Sequence, residues 1–459
     1  MSGIVVMLAA LAALVLLTYR GVSLLLSAPA LAVLAVLIAE GGPVLATFTQ
    51  IYMPEAGRFI VLYFPLFLLG AVFGKLMEAS GSAAVLAEAL KSGLGPQRAI
   101  LAVVMSCALL TYGGVSLFVV AFAVWPIASA LFAQARLPRV LIPAAIALGA
   151  FTFTMSALPG TPAIQNAIPM PYFRTTAFAA PGLGIIGGLI MFGLGWLWLE
   201  HRAHRLAADQ ESGRDPEPMG DAQARPPLTL ATLPLASVLV LNFTFAFWLI
   251  PALDLTYLHL PKFGSTDVAA VRGVWSIIAA LTLSCLVVVV VHWRHMGETL
   301  AETLDAGASD SLKPIFNTAS LVGFGAVIAS MQAFSMVRDG VLAIGSGNPL
   351  ISLALGTSLL AGLTGSASGG MSIALANLGD TYREMGVAAG ISPDLLHRVT
   401  SLATGSLDAL PHNGAVVTLL TICGLTHREA YGDIAVVAVL IPAIALVVVI
   451  VLGTLFGSF

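Results

Sequence analysis

Charge is what this chain has least of. Only 9% of its 459 residues are Asp, Glu, Lys or Arg, against about 25% in an ordinary soluble domain. That shortage excludes a water-solvated globular surface. A net charge of −3 gives no basic face for nucleic acid. Cysteine is scarce too. Cys107, Cys285 and Cys423 each lie in an apolar stretch without metal-ligand spacing, which reads as three inert buried thiols and excludes a disulfide framework or a zinc site. No Walker motif is present, so ATP is not the direct drive. No cofactor, no metal and no catalytic residue is expected. Ile4–Leu17 lacks a basic leader and is followed at once by Val22–Ile38, so it reads as a retained first helix.

What the chain has is apolar length: 58% hydrophobic residues and a mean hydropathy of +0.98. A bilayer-spanning helix needs about 20 apolar residues. In the first half the candidates are 3–19, 22–39, 58–77, 140–168 and 179–199, with a broken apolar stretch at 98–134. The segment from Glu200 to Pro227 carries Arg202, Arg205, Arg214 and Arg225 and reads as a hydrophilic linker. The second half repeats the scheme at 229–250, 270–293, 314–336, 395–425 and 431–456, again with a broken stretch, 348–378, between third and fourth. Lys75–Gln97 and Gly297–Ser311 read as short surface helices.

Two phrases recur in order. Ser156–Ala163 reads SALPGTPA and Asp408–Ala415 reads DALPHNGA, 252 residues apart. Gly-Gly-x-Ser occurs at Gly113–Ser116 and at Gly369–Ser372. Together these predict an internal duplication. If 98–134 and 348–378 are re-entrant hairpins, each half crosses five times and the halves are inverted. The predicted fold is thus an all-α polytopic membrane protein of two inverted repeats, each with five crossings, one hairpin and one broken helix at the midplane. The first repeat is 1–200 (scaffold helices over 1–77, hairpin 98–134, broken helix 140–168). The cytoplasmic linker is 201–228. The second repeat is 229–459 (scaffold helices over 229–336, hairpin 348–378, broken helix 395–425).

With the linker in the cytoplasm, both termini lie outside. Arg58, Arg174, Lys262, Arg272, Arg338, Arg383 and Arg398 are then outside, and the other thirteen of the 20 Lys and Arg are inside. That is the positive-inside bias.

Irregular backbone at membrane depth survives only against protein or a water-filled cavity. Four breaks are predicted, at Thr111–Ser116, Ser156–Pro162, Thr364–Gly370 and Asp408–Gly414, converging on one midplane site. Pro159, Pro162 and Pro411 interrupt helical ladders. Half-helix N-termini attract a carboxylate, while carbonyl ends hold a cation. The candidate substrate-binding residues are Thr111, Gly113, Gly114, Ser116, Ser156, Gly160, Thr161, Asn166, Thr364, Gly365, Ser366, Ser368, Gly369, Gly370, His412, Asn413 and Gly414. Asp408 and His412 stand where the first half has Ser156 and Gly160. An ionisable residue in a membrane is a functional candidate, so both are candidates for proton coupling; the alternative is a helix cap and a neutral donor. Asp254, Asp267, Asp305, Asp339, Asp380 and Asp433 read as solvated charges near helix ends. No Lys or Arg lies in the motifs, and Arg398 is the nearest candidate.

At TMSALPGTPAIQNAIP (Thr154–Pro169), SLDALPHNGAVVTLLTICGLTHREAYGDI (Ser406–Ile434) and LTGSASGGMSIAL (Leu363–Leu375), the chain resembles the gluconate permease (GntP) family. The resemblance implies the ion transporter superfamily fold, a dimer, an elevator motion against a scaffold, and import of small hydroxy or sugar acids with protons. Leu158–Pro162 departs from the proline-rich phrase of the sugar-acid members and looks closer to the branch linked with 3-hydroxybutyrate and similar short acids.

The expected function is a bacterial inner-membrane secondary transporter importing a small organic acid anion by proton symport, acting as a homodimer in the lipid bilayer. A sodium-coupled carboxylate symporter is the alternative on the same fold. A cation/proton antiporter would want more intramembrane carboxylates. From another class, an intramembrane hydrolase could use Ser366 or Ser368 with His412 as base.

Overall fold

The computed structural model describes residues 2–20, 22–115, 117–207, 226–344, 347–411 and 413–459. Among them every regular element is helical. The first half contains α1 (Ser2–Tyr19), α2 (Leu24–Glu40), α3 (Val44–Ala79), α4 (Ser82–Leu94), the hairpin arms α5 (Ala99–Tyr112) and α6 (Leu117–Gln134), α7 (Ile142–Ala150), and the short turns α8 (Phe153–Ser156), α9 (Ile164–Ala167) and α10 (Pro169–Phe173). It ends in α11 (Pro181–Ala207). The second half contains α12 (Leu228–Ala252), α13 (Val268–Met296), α14 (Leu300–Ser330), α15 (Phe334–Ala343), the hairpin arms α16 (Pro349–Thr364) and α17 (Ala367–Ala388), α18 (Pro393–Leu407), α19 (Gly414–Cys423) and α20 (His427–Phe456). Seven spans of described residues are long and apolar enough to cross a membrane; α1, α2, the hairpin arms α5 and α16, part of α6, and α19 are shorter apolar helices.

One helical group is built by α1–α3 with α12–α14. Here α1 packs on α2 and α12 on α13, while α2 packs on α14 and α3 on α13. Its centre is the long pair α3 and α14, where close approach needs glycine. A Cβ on Gly307 would lie 2.7 Å from Val72 Cα, and one on Gly323 would lie 2.9 Å from the Tyr52 carbonyl oxygen. Lys75 pairs with Asp310 at 3.4 Å. Rising numbers on one helix meet falling numbers on the other, so α3 and α14 are antiparallel.

The second group holds the hairpins and broken helices. The first arm of each hairpin packs on the leading half of its broken helix, α5 on α7 and α16 on α18. The trailing pieces cross over to the other half, α10 onto α17 and α19 onto α6. The last helices, α11 and α20, also pair antiparallel: Gly182 N donates to the Phe459 carbonyl (2.7 Å), and Trp198 Nε1 donates to Asp433 Oδ1 (3.0 Å).

Several boundaries differ from expectation. The charged stretch 297–311 is no separate surface helix: from Leu300 it is the start of α14, whose 31 residues span roughly 46 Å. A hydrocarbon core is about 30 Å thick, so the charged third extends beyond it. Lys75 ends α3 rather than opening a surface helix, and only Ser82–Leu94 is separate. The final helix of the first half runs to Ala207, into the expected linker; 208–225 of that linker lie outside the described residues. Asp433 is not a solvated charge. It is buried and takes Arg202 Nε at 2.8 Å.

Candidate functional site

Both central prolines fall where helices stop. In the first half α8 ends at Ser156, and helix resumes only at Ile164. The gap contains Pro159 and Pro162, which cannot donate to a helical ladder. Gly160 turns the chain at φ 84°, and a Cβ there would lie 2.6 Å from the Phe178 ring. In the second half α18 ends at Leu407, and α19 starts at Gly414. Asn413 caps α19, its Oδ1 accepting from Ala415 N (2.6 Å) and Val416 N (3.1 Å).

Each hairpin tip docks on its own broken helix. Tyr112 Oη donates to the Pro159 carbonyl at 2.6 Å. A Cβ on Gly114, which has φ 98°, would lie 2.9 Å from Pro162. In the second half Asn413 Nδ2 donates to the Gly365 carbonyl at 3.0 Å. The two broken helices also touch. Ser401 Oγ donates to the Ser156 carbonyl at 2.8 Å, and a Cβ on Gly405 would lie 2.9 Å from Ser156 Oγ. Gly405 is three residues before Asp408, so the two Ala-Leu-Pro phrases are neighbours.

The first break is closed by protein groups. Asn166 Nδ2 donates to the Thr161 (3.0 Å) and Ala177 (2.9 Å) carbonyls. That fixes Oδ1 as an acceptor, which takes His397 Nε2 (3.1 Å) and Arg398 Nη1 (3.3 Å). His397 Nδ1 then accepts from Thr175 Oγ1 at 2.6 Å. Gly160 N donates to the Ala177 carbonyl (2.8 Å), and the Gly160 carbonyl accepts from Asn242 Nδ2 (3.1 Å). Arg398, expected outside the membrane, is fully buried in α18, with Ser156, Thr161, Asn166 and His397 buried around it.

The second break is more open. Pro411 and Gly414 are exposed. Asp408 Oδ1 is buried and has no hydrogen-bond partner among the described residues. The Ala409 carbonyl accepts from Tyr431 Oη (3.1 Å), and the Pro411 carbonyl accepts from His427 Nε2 (2.8 Å). At the adjoining tip Ser366 caps α17 by accepting from Gly369 N (3.1 Å). Ser368 lies 3.4 Å from Ser366 Oγ and 3.3 Å from Thr318 Oγ1. Thr364 Oγ1 donates back to the Leu360 carbonyl (2.8 Å). Thr111 Oγ1 and Ser372 Oγ are buried without a partner among the described residues.

One expected break is much shorter than 364–370. The second tip is only Gly365, at φ 60°, and Ser366. Gly369 and Gly370 are helical, and a Cβ on Gly370 would collide with the Ala361 backbone on the facing arm. The Gly-Gly-x-Ser pieces are therefore not equivalent: the first begins the turn at Gly113, while the second lies inside α17. Ser116 and His412 lie outside the described residues. A cavity of about 490 Å³ lies elsewhere, between the first turns of α16 and α18 and the end of α20, lined by Asn348, Ser392, Thr454 and Ser458 among others. It touches none of the breaks.

No family model matches the chain. It is 42% identical over 470 residues to the uncharacterized transporter YxjC of Bacillus subtilis (strain 168), covering 99% of each sequence. The chain belongs to this transporter family. Its fold is similar to that of the Alcanivorax borkumensis YdaH transporter, with a TM-score of 0.50, 17% identity, and coverage of 88% of this chain and 87% of the other. As a member of the YxjC transporter family it is a multi-pass membrane transporter, and kinship to a protein named as a transporter argues against the hydrolase.

Sequence reasoning missed His397, Tyr112, Asn242, His427 and Tyr431 as neighbours of the breaks, and it placed Arg398 near the second break rather than buried against the first. One signal was present. Arg398, Ser401 and Gly405 share one helical face by their spacing, and that face packs on Ser156.

Proposed function

We propose that this transporter imports a small organic acid anion, gluconate-like or a short hydroxy or keto acid such as 3-hydroxybutyrate, by proton symport across the bacterial inner membrane. The observation that carries the proposal is the second break. There a buried carboxylate oxygen of Asp408, a capped half-helix at Asn413 and the hydroxyl-rich tip at Ser366 and Ser368 meet where the chain is exposed. Half-helix N–H groups and hydroxyls suit a carboxylate with neighbouring hydroxyls. A neutral, protonated Asp408 would accompany the anion and reduce the charge carried through low dielectric. The motifs shared with the gluconate permease family point to the same class of solute.

The proposed mechanism is an elevator, with the hairpins, broken helices, α11 and α20 moving against α1–α3 and α12–α14, in a homodimer with both termini outside. Inverted repeats are supported by the 252-residue offset of the motifs and by the antiparallel pairs α3/α14 and α11/α20. Sodium in place of the proton is favoured by one observation, the cluster of Thr318, Ser366 and Ser368 hydroxyls. Uptake of labelled 3-hydroxybutyrate and gluconate into proteoliposomes decides between them. An imposed pH gradient should drive accumulation without sodium. Accumulation driven only by a sodium gradient assigns coupling to sodium, and no accumulation of either acid contradicts the solute class.

A further inference from the structure

Arg398 is the buried cation that the transport reading leaves without a task. Its side chain is fully inaccessible, and among the described residues no carboxylate forms an ion pair with it. Buried charges are costly unless paired or fully hydrogen-bonded. Here every hydrogen bond it makes among the described residues goes to a neutral oxygen, and Asp394, one turn earlier on α18, acts on the guanidinium only at longer range. Nε and Nη2 both donate to the Ala179 carbonyl (3.1 and 2.7 Å), and Nη1 donates to the Ser156 carbonyl (3.2 Å) and to Asn166 Oδ1 (3.3 Å). A guanidinium has five N–H donors in a planar fork, so this set leaves little of it for a solute. Ser156 ends α8, and its carbonyl is one that the broken helix leaves without a helical partner.

A ring of carbonyl and amide oxygens at a half-helix carbonyl end is the donor set that holds a mobile cation in transporters with broken helices. We propose that the Arg398 guanidinium is the resident cation of the first broken helix, filling the place a mobile cation would take, so that solute and coupling ion exchange only at the second.

The duplication strengthens this. At the 252-residue offset Arg398 corresponds to Ile146 and His397 to Ala145, both buried in α7. From the equivalent positions the first half therefore sends no cation to the second break. Conversely the second break has Asp408 where the first has Ser156. One half keeps an acid at its break and donates a fixed base to the other's.

The test uses the purified full chain and the thermal-unfolding midpoint, which needs no identified solute. Arg398→Ala opens the place. Guanidinium at low millimolar concentration should raise the variant's midpoint by several degrees, saturably, while sodium and potassium chloride at equal ionic strength do not; the wild type should not respond. Equal responses of variant and wild type overturn the proposal. If the alanine protein is not recovered, Arg398→Lys and Arg398→Met carry the test. The cation-retaining lysine variant should be recovered and unfold well above the methionine variant, and equal midpoints or equal loss of both overturn the proposal. The assignment of exchange to the second break rests on the transport reading, whereas the thermal measurements read occupancy of the first break alone. They can therefore fail independently of uptake.

Discussion

At the first break the backbone polarity released by Pro159 and Pro162 is consumed by protein. Tyr112, Asn166, Asn242, Ser401 and Arg398 all donate into it, and Ser156 and Thr161 are fully buried. At the second break, Pro411 and Gly414 reach the surface, Asp408 Oδ1 finds no partner among the described residues, and Asn413 ties the break to its hairpin tip at Gly365. Nearly the same phrase thus builds a cross-brace in one place and an accessible polar step in the other. The difference lies in a few residues outside the phrase. A cation at 398 where the other half has Ile146 closes one break, and an acid at 408 where the other half has Ser156 leaves the second polar and unfinished.

The comparison can be broken by exchanging damage between the two sites. Asn166→Ala removes four hydrogen bonds at the first break and strands several buried groups. At about 1–3 kcal/mol for each group left unpaired, it should lower the unfolding midpoint more than any other single change named here. Solute affinity of whatever protein folds should stay within a few-fold. Asn413→Ala should do the reverse: about 1 kcal/mol from the lost cap, but at least tenfold weaker solute affinity in counterflow. Equal loss of affinity in both variants would show that both breaks hold solute.

A smaller effect separates the two packing faces. A methyl group on Gly149 collides with the Val104 carbonyl, which is helix backbone, whereas one on Gly405 meets the Ser156 side chain, which can turn away. Gly149→Ala should destabilise by about 1–3 kcal/mol and Gly405→Ala by less, read as denaturation midpoints. The smallest expected effect is Tyr112→Phe. It removes one hydrogen bond to Pro159, worth about 1 kcal/mol, and should leave uptake unchanged once the protein is folded.

The positions of the breaks were legible because proline and paired glycines interrupt long apolar runs that otherwise promise helix. Pro159 and Pro411 did stop their helices. Pro314 did not, since α14 runs through it; the charges before it mark the portion of the helix beyond the hydrocarbon core, not a separate element. The second hairpin tip was misplaced because Gly369-Gly370 matched Gly113-Gly114 by composition. In the fold those glycines admit the facing arm, and Gly365 makes the turn. Arg398 was read as an outside charge because it lies near the start of its helix, four residues after Asp394, where a loop-end charge is the default. Its acceptors are neutral oxygens of the first half, some 220 to 240 residues away, and only the folded chain brings them together.

Asp408 is the proposed carrier of the coupled proton at the second break. Asp408→Asn mimics the permanently protonated carboxyl. The most direct measurement pairs two assays on the reconstituted variant with labelled 3-hydroxybutyrate or gluconate, whichever the wild type accumulates. The variant should still exchange solute between two loaded compartments, at a rate within a few-fold of wild type, and should lose accumulation driven by a pH difference. If it accumulates solute against a gradient with only a pH difference imposed, Asp408 is not the proton carrier and the account of the second break is wrong.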